Sequence, residues 1–550
     1  MDFKQEIIDA LRKETKLEEI HLEVPPNPEL GDFAFPCFSL AKAYKKAPVQ
    51  IAQDLASKIK IKSMSKIEAK GPYLNFFVNK ENFTQDILTK MQKSENYGSL
   101  DLGKKKKILV EHTSINPNAS PHVGRARNAL IGDSIVRLLK FQGYDVETHY
   151  FVNDIGKQIA MLVLGAEGKK KVTFDDLLKI YVKINKQVEE KPELEKEVFQ
   201  LLNRLEKGDK EIITKFRKMV EVCVKGQSEI LSDLDIHYDV YDYESDYLWN
   251  KKTEEILKLL EKTGKLFTDE EGRKVLDQEG FDLAMKSPVL VLTRADGTSL
   301  YPLRDLAYHI DKKKDENIIV LGEDQKLYHQ QIKAALSLIK FKAPRVVHYS
   351  FVLLQEGKMS TRKGTVVLLE DFMKEALDKS KKEIKQRHGE VKEEDAKKIA
   401  YGAIKYAILK VSNEKNVTFD WHQALNFEGD SGPYLQYAYA RISSIFEKHG
   451  DKIKKDVDYS LLKEPQELEL IKTLGTFPDI VKEAAEQLKP NLIANYLFHL
   501  ASQFSVFYNA CPVLKAEEDL MQARLVLIDS VRKVLKNGLS LLGIDVLDKM

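Results

Sequence analysis

Two short stretches hold residue types that can bind and activate a nucleotide. The first is His122-Val123-Gly124-Arg125, which follows an apolar run (Ile108 to Val110) and a polar turn, and opens a pattern with helical spacing. Gly124 has no side chain, so a flat, bulky group can lie against the backbone, and the unpaired N–H groups of a first helical turn attract anionic oxygen. His122 adds a ring donor and Arg125 a fixed positive charge, a set that suits a nucleoside triphosphate. Alone, a His-x-Gly at this position also reads as an ordinary capped helix start. The second stretch runs Lys358-Met359-Ser360-Thr361-Arg362-Lys363-Gly364-Thr365. Its three cations can close over the phosphates of a nucleotide held at the first site, or stand as a solvated basic loop.

In this order and at this separation the two stretches resemble the HIGH and KMSKS motifs of class I aminoacyl-tRNA synthetases. The segments SINPNASPHVGRARN, KMSTRKGTVVLLEDF, EGDSGPYLQYAYARI and FYNACPVL, with LLGIDVLDKM at the end of the sequence, narrow the likeness to the arginyl-tRNA synthetase family. It covers essentially the whole chain. The resemblance implies ATP binding by His122, Gly124, Arg125, Lys358, Met359 and Ser360, with His122, Lys358, Arg362 and Lys363 as the catalytic groups. Two positions depart from the family pattern: Arg125 stands where the second His of HIGH is usual, and Thr361 where KMSKS has its second Lys. Arg125 can still donate to the nucleotide, and Arg362 or Lys363 can supply the missing cation, so the departures read as variation within an active enzyme.

A site for free arginine must satisfy a guanidinium, an ammonium and a carboxylate away from water. The guanidinium wants a carboxylate in fork geometry and an aromatic or hydroxyl wall. Glu111 ends the first strand, and Tyr301 and Asp305 lie four apart at a helix start, hence on one face. Carried over from the family motifs, Glu111, Tyr301 and Asp305 face the guanidinium, while Asn116 and Gln325 hold the amino and carboxyl end. Their plainer readings are a strand-end acid, a capped helix start, a turn residue and a residue opening a helix.

The implied reaction has two steps. The arginine carboxylate attacks the α-phosphate of ATP, and the 2′-hydroxyl of the terminal adenosine of tRNA(Arg) then takes the arginyl group. No protein nucleophile is needed, so positioning and charge stabilisation carry the chemistry. Mg²⁺ is expected with ATP, through its phosphates, and no zinc. Two rivals stand beside this reading. One is a nucleotidylyltransferase with the same His-x-Gly type of site, which would not need a long C-terminal helical part. The other is a synthetase-like tRNA-binding protein without catalysis, against which His122 and Lys358 argue.

Composition sets the bounds. A chain of 550 residues should split into two to four domains, and 43% hydrophobic with 31% charged residues is ordinary for a globular protein. Lys plus Arg number 87 against 85 Asp plus Glu, so any nucleic-acid surface must be local. The run Lys104 to Lys107 and the cluster Lys379, Lys381, Lys382, Lys385 and Arg387 are candidates, each equally a solvated face. Cys37, Cys223 and Cys511 are far apart and lack a Cys-x-x-Cys partner, which fits a reducing cytoplasm and offers no zinc site. No apolar run reaches about 18 residues and the N-terminal helix has no apolar core segment, so neither export nor membrane spanning is expected. A monomer is the default.

The elements that must position these groups read as a multidomain α/β protein. Residues 1–103 form an N-terminal α+β module, with Ile7, Ile8 and Leu11 at helical spacing and LNFFV as a strand. By resemblance it binds tRNA at its elbow, Tyr73 and Asn75 of Gly71-Pro72-Tyr73-Leu74-Asn75 meeting a nucleotide; Tyr73 beside a turn reads equally as half-buried packing. Residues 104–371 form a Rossmann-like, doubly wound parallel-sheet catalytic domain. Long charged helices at about 157–286 interrupt it, after which PVLVLTR resumes the sheet and NIIVLG and VVHYSFVLL complete it. Residues 372–550 form a C-terminal all-α helical bundle, by resemblance the anticodon-binding domain, with Tyr434 and Tyr437 on one wall. Tyr434, Tyr437 and Tyr439 can also simply pack a helix interface.

Overall fold

The computed structural model describes residues 3–23, 25, 27–354, 357–358, 367–388, 392–450, 453–454 and 456–550. The chain forms two compact units, one of Met1–Tyr97, Ile442–Phe477 and Leu500–Val534, the other of Gly98–Arg441, Pro478–His499 and Leu535–Met550.

In the first unit the amphipathic start is a helix, Phe3–Thr15, that buries Phe3, Ile7 and Leu11. These side chains share a core with Leu74, Phe76 and Val78, from the middle strand of an antiparallel sheet ordered Phe33–Pro36, Tyr73–Val78, Met64–Lys70. Because strand side chains alternate, Tyr73, Asn75 and Phe77 stand on the opposite face. Gly71, with φ of 60°, makes the turn that leads into Tyr73. The helix Lys80–Lys93 starts under the side chain of Asn79, which accepts from the N–H groups of Glu81 and Asn82. Its inner face packs Phe83 and Ile87 against Gly475.

The second unit is built on five parallel strands: β1 (Lys107–Glu111), β2 (Asp145–Val152), β3 (Val240–Tyr243), β4 (Glu316–Gly322) and β5 (Arg345–Tyr349). Their order is β5-β4-β1-β2-β3. Ile108, Leu109 and Val110 are all buried, the continuous apolar run of a strand covered on both faces. Helix α1 (Val123–Phe141) crosses from β1 to β2. The order reverses between β1 and β4, and in such sheets ligands bind in the crevice at the carboxyl ends of the strands flanking that point. Glu111 ends β1, and Gly322 ends β4 just before Gln325. Two further helices matter to the site, α2 (Tyr301–Asp311) and α3 (Lys326–Leu338). Leu303, Leu306 and Ala307 of α2 pack with Leu290, Ile332 and Leu336, which fixes the opposite side of α2 toward the strand ends.

The sheet differs from the sequence reading in two places. It resumes not at PVLVLTR but at Val240–Tyr243, which pairs in parallel with β2 from His149↔Val240 to Val152↔Tyr243. Val289–Val291 instead joins a separate antiparallel sheet with Leu266–Thr268 and Lys274–Asp277. Likewise VVHYSFVLL is two strands: after β5, Val352–Leu354 leaves the sheet and pairs with Gly357–Lys358 and with Val417–Phe419. The last of these is a strand within the otherwise helical C-terminal half. After a short apolar helix, Lys157–Gly165, the long charged helices run from Phe174 to Asp233, not on to about residue 286.

Candidate active site

The loop from β1 to α1 is held in a shape that L-residues seldom adopt. Thr113 and Ser114 have φ of 81° and 41°, a conformation that costs energy unless its surroundings impose it. Those surroundings are specific. Asn128 on α1 accepts from the Thr113 N–H at 2.6 Å and donates to Val320 O of β4 at 2.9 Å, so it ties the two strand ends together. The Thr113 hydroxyl meets Tyr238 Oη at 2.6 Å. Tyr150 Oη accepts from the N–H of Ile115. Gln227, on the last of the charged helices, donates to the carbonyls of Asn116 and Ala119 at 3.1 and 2.8 Å. The last of the interrupting helices therefore braces this loop. His112 packs beneath it against Gly132, where a Cβ would sit 2.2 Å from the ring.

His122 is the residue that opens α1, with extended backbone (φ −93°, ψ 156°) and no capping hydrogen bond from its side chain. Burial, and then the charge of Arg125, pull its pKa down to about 4, so the ring is neutral at physiological pH. Among the described residues its Nδ1 is buried without a partner, a donor or acceptor left for something else. Gly124 and Arg125 occupy the first turn that follows. The described residues after the second motif meet the start of α1 through their backbone. Gly357–Lys358 forms a short hairpin with Leu353 and Leu354; Met359, Ser360, Arg362 and Lys363 lie outside the described residues. On the far side of that stretch Leu368 forms an antiparallel bridge with His122. Val123 N donates to Val367 O at 3.1 Å, and Leu369 N to Pro121 O at 2.8 Å. Arg127 is fully buried and donates to four carbonyls, those of Ser350, Phe351, Ser412 and Lys415. It thereby fastens α1 to the root of the hairpin.

Around the carboxyl ends of β1 and β3 stand four acidic side chains: Glu111, Asp242, Glu244 and Asp305. Two are matched by cations. Asp242 receives Lys312 Nζ at 2.5 Å and lies 2.6 Å from His149 Nδ1, and Glu244 receives Arg304 Nε at 2.8 Å. Glu111 and Asp305 have no salt-bridge partner among the described residues. Tyr308 Oη donates to Glu111 Oε2 at 2.6 Å, and Tyr328 Oη donates to Asp305 Oδ2. Burial raises both carboxyls, Glu111 and Asp305 each to about 7, and the negative neighbours Glu244 and Asp242 push the same way. Two carboxyls without a salt bridge among the described residues, in so poorly solvated a place, are able to accept a cation.

Tyr301, 54% exposed, has its ring 5.1 Å from that of Tyr328 and borders a cleft of about 620 Å³ with Arg273, Arg294 and Gln331. Glu111, Tyr301 and Asp305 are thus neighbours of one tyrosine-lined cluster. Gln325 lies at the end of the short 3-10 turn Glu323–Gln325 beyond β4. Asn116 is exposed, its amide donating to Gln158 Oε1 at 3.2 Å. Tyr73 pairs edge-on with the exposed Phe38 at 5.8 Å, and Asn75 is buried. Tyr434 packs on Phe498 at 5.8 Å. Tyr437 accepts from Arg441 at 3.0 Å, and Tyr439 is buried. Asp242, Tyr308, Tyr328, Asn128 and Gln227 were not singled out from sequence. Only Tyr308, three residues after Asp305 on the same helix face, carried a local signal.

Comparison with known families decides the lineage. The model for "tRNA synthetases class I (R), catalytic domain" matches residues 85–421. This chain belongs to the arginyl-tRNA synthetase family. The DALR anticodon binding domain matches residues 435–550, and the arginyl tRNA synthetase N terminal domain matches residues 1–78. The arginine–tRNA ligase of Methanocaldococcus jannaschii is 42% identical, with 99% of each chain covered. That of Methanothermobacter thermautotrophicus is 40% identical, covering 96% of this chain and 94% of its own. The arginyl-tRNA synthetase structure from Thermus thermophilus superposes with a TM-score of 0.84 at 29% identity, covering 99% of both chains. The chain is accordingly an enzyme of the class I aminoacyl-tRNA synthetases, with the α/β catalytic sheet and helical C-terminal domain of that family.

Proposed function

We propose that this chain activates L-arginine with ATP and transfers the arginyl group to the 2′-hydroxyl of the terminal adenosine of tRNA(Arg). The observation that carries the reading is the pair of the buried Glu111 and the half-buried Asp305, two carboxyls without a salt-bridge partner among the described residues beside two matched ones. A guanidinium supplies a permanent charge and five N–H donors in one plane, which two carboxylates can share. Tyr301 is the aromatic wall, and Asn116 and Gln325 hold the ammonium and carboxylate end.

ATP lies on His122, Gly124 and Arg125 at the start of α1, under Lys358, Met359 and Ser360. The arginine carboxylate attacks the α-phosphate and pyrophosphate leaves; the ribose hydroxyl then attacks the arginyl carbonyl and AMP leaves. His122, with Lys358, Arg362 and Lys363, stabilises the charge that gathers on the phosphate oxygens. Mg²⁺ accompanies the ATP, bound mostly through its phosphates. In this division of labour residues 1–103 bind the tRNA elbow through Tyr73 and Asn75. Residues 104–371 catalyse, with the helices from Lys157 to Asp233 inserted before β3, and residues 372–550 bind the anticodon, with Tyr434 and Tyr437 near it. The protein works in the cytoplasm as a monomer.

Arginine-dependent exchange of pyrophosphate into ATP, measured with and without tRNA(Arg), tests the reading. Exchange with arginine is expected; exchange only with another amino acid, or none with tRNA present, ends it.

A further inference from the structure

The acids at the strand ends are held in two different ways. Asp242 and Glu244 are neutralised by Lys312 and Arg304, whereas Glu111 and Asp305 each accept a single tyrosine proton. The tyrosines are themselves fixed. The Tyr308 ring lies 4.8 Å from that of Phe151 and 5.9 Å from that of Tyr247, with Lys312 Nζ 4.8 Å over it. Its hydroxyl is 3.2 Å from Asp242 Oδ2, the oxygen that also meets His149. The Tyr328 ring is set against Tyr301. Both tyrosines are far from Glu111 in sequence, and neither belongs to the two nucleotide motifs.

A cation in either tyrosine's place would cancel the charge that a bound cation needs. A hydroxyl instead fixes the carboxylate's orientation and leaves its charge. It also occupies one oxygen only: among the described residues Glu111 Oε1 and Asp305 Oδ1 receive no hydrogen bond. We infer that Tyr308 and Tyr328 are positioning residues of the guanidinium pocket, each donating to one oxygen of a carboxylate so that the other is presented to the substrate. Without them two neighbouring carboxyls that repel each other would rotate apart or share a proton, and the fork that separates arginine from other cations would be lost. This rests on the assignment of Glu111 and Asp305 as guanidinium acceptors.

Tyr308→Phe and Tyr328→Phe keep the rings and remove the hydroxyls. In arginine-dependent ATP–pyrophosphate exchange with tRNA(Arg) present, each is expected to raise the KM for arginine about tenfold, the loss of about 1.4 kcal/mol. The KM for ATP should stay within twofold. Tyr308→Phe should also move upward the pH at which arginine KM begins to rise, because the lost bond is one that favours ionised Glu111 against the negative Asp242. Lys312 and His149, the cations facing the same carboxyl, remain in place. An arginine KM within twofold of the unaltered protein, or an equal rise for ATP, overturns the inference. Glu111→Gln and Asp305→Asn run beside them separate the two levels. If these leave the arginine KM unchanged, the pocket itself is misassigned. If they raise it while both Phe variants do not, only the role given to the tyrosines fails.

Discussion

Leu368 lies opposite His122 in an antiparallel bridge, so the chain that leaves the hairpin at Lys358 returns at the residue that opens α1. The far root of the basic stretch is therefore fixed by two backbone hydrogen bonds flanking that histidine. The chain after the basic stretch is thus tied to the start of α1 by backbone groups.

Val123→Pro tests this coupling while keeping the helix start, with some loss of packing because Val123 is fully buried. Residue 123 is the first of α1, where proline's fixed φ fits a helix, and His122 before it is already extended. The substitution removes the N–H that donates to Val367 O, a bond worth about 0.5–1.5 kcal/mol. Turnover in pyrophosphate exchange should fall roughly two- to tenfold, with the KM for arginine held. Unchanged turnover in a folded variant would mean that the bridge does not set the geometry of the loop.

The basic stretch has Thr361 where the family's second lysine is usual, and Arg362 and Lys363 follow it. If a neighbour replaces the missing cation, alanine at 362 or 363 should lower turnover by as much as alanine at 358. For a fully aimed donor the loss is about 2.7–4 kcal/mol. Single-turnover rates of adenylate formation for the three variants decide it, and an effect confined to Lys358→Ala would refute replacement.

The parts of the site that local spacing encodes were legible in the sequence. An apolar run ending at Glu111, a small-residue helix start at His122, and Tyr301 four residues before Asp305 are each a one-dimensional pattern with one structural outcome. What holds Glu111 was not legible, because Tyr308 and Asp242 reach it from a helix and a strand far along the chain. β3 escaped notice for a related reason. Val240–Tyr243 is four residues long, contains an aspartate, and follows three charged helices, so nothing local marks it as a strand. PVLVLTR has the apolar run expected of the central sheet, yet Val289–Val291 is the edge strand of another sheet, antiparallel to Lys274–Asp277, a choice made by topology rather than by propensity.

Tyr73 follows the Gly71 turn and pairs with exposed Phe38 on the face of the small sheet that looks away from its core. Two adjacent aromatic rings there suit a stacked base, worth about 1–3 kcal/mol. Tyr73→Ala should raise the KM for tRNA at least several-fold and leave those for ATP and arginine nearly unchanged. Aminoacylation measured across tRNA concentrations reports this, and an unaltered tRNA constant would return Tyr73 to a packing role.

Glu111 and Asp305 make opposite demands on stability and on function. Burial raises each to about 7, from ordinary values of 4.5 and 3.8. Each folded carboxyl holds its proton more tightly than the unfolded one, so its contribution is complete below the unfolded value and declines as pH rises toward 7. The slope is about 1.4 kcal/mol per pH unit for each group. Without substrate, Asp305→Asn should therefore match the parent near pH 4 and exceed it in urea-unfolding stability at pH 8. Arginine binding runs the other way, since the guanidinium needs the ionised pair, and its KM should rise as pH falls below about 7. The same Asp305→Asn should lose most arginine-dependent exchange with ATP binding intact. The parent should show no useful exchange with lysine, glutamine or citrulline, none of which combines charge with a planar fork. A variant no more stable than the parent at pH 8 would show that Asp305 is not strained by burial, and one that retains exchange would show that it does not face the substrate.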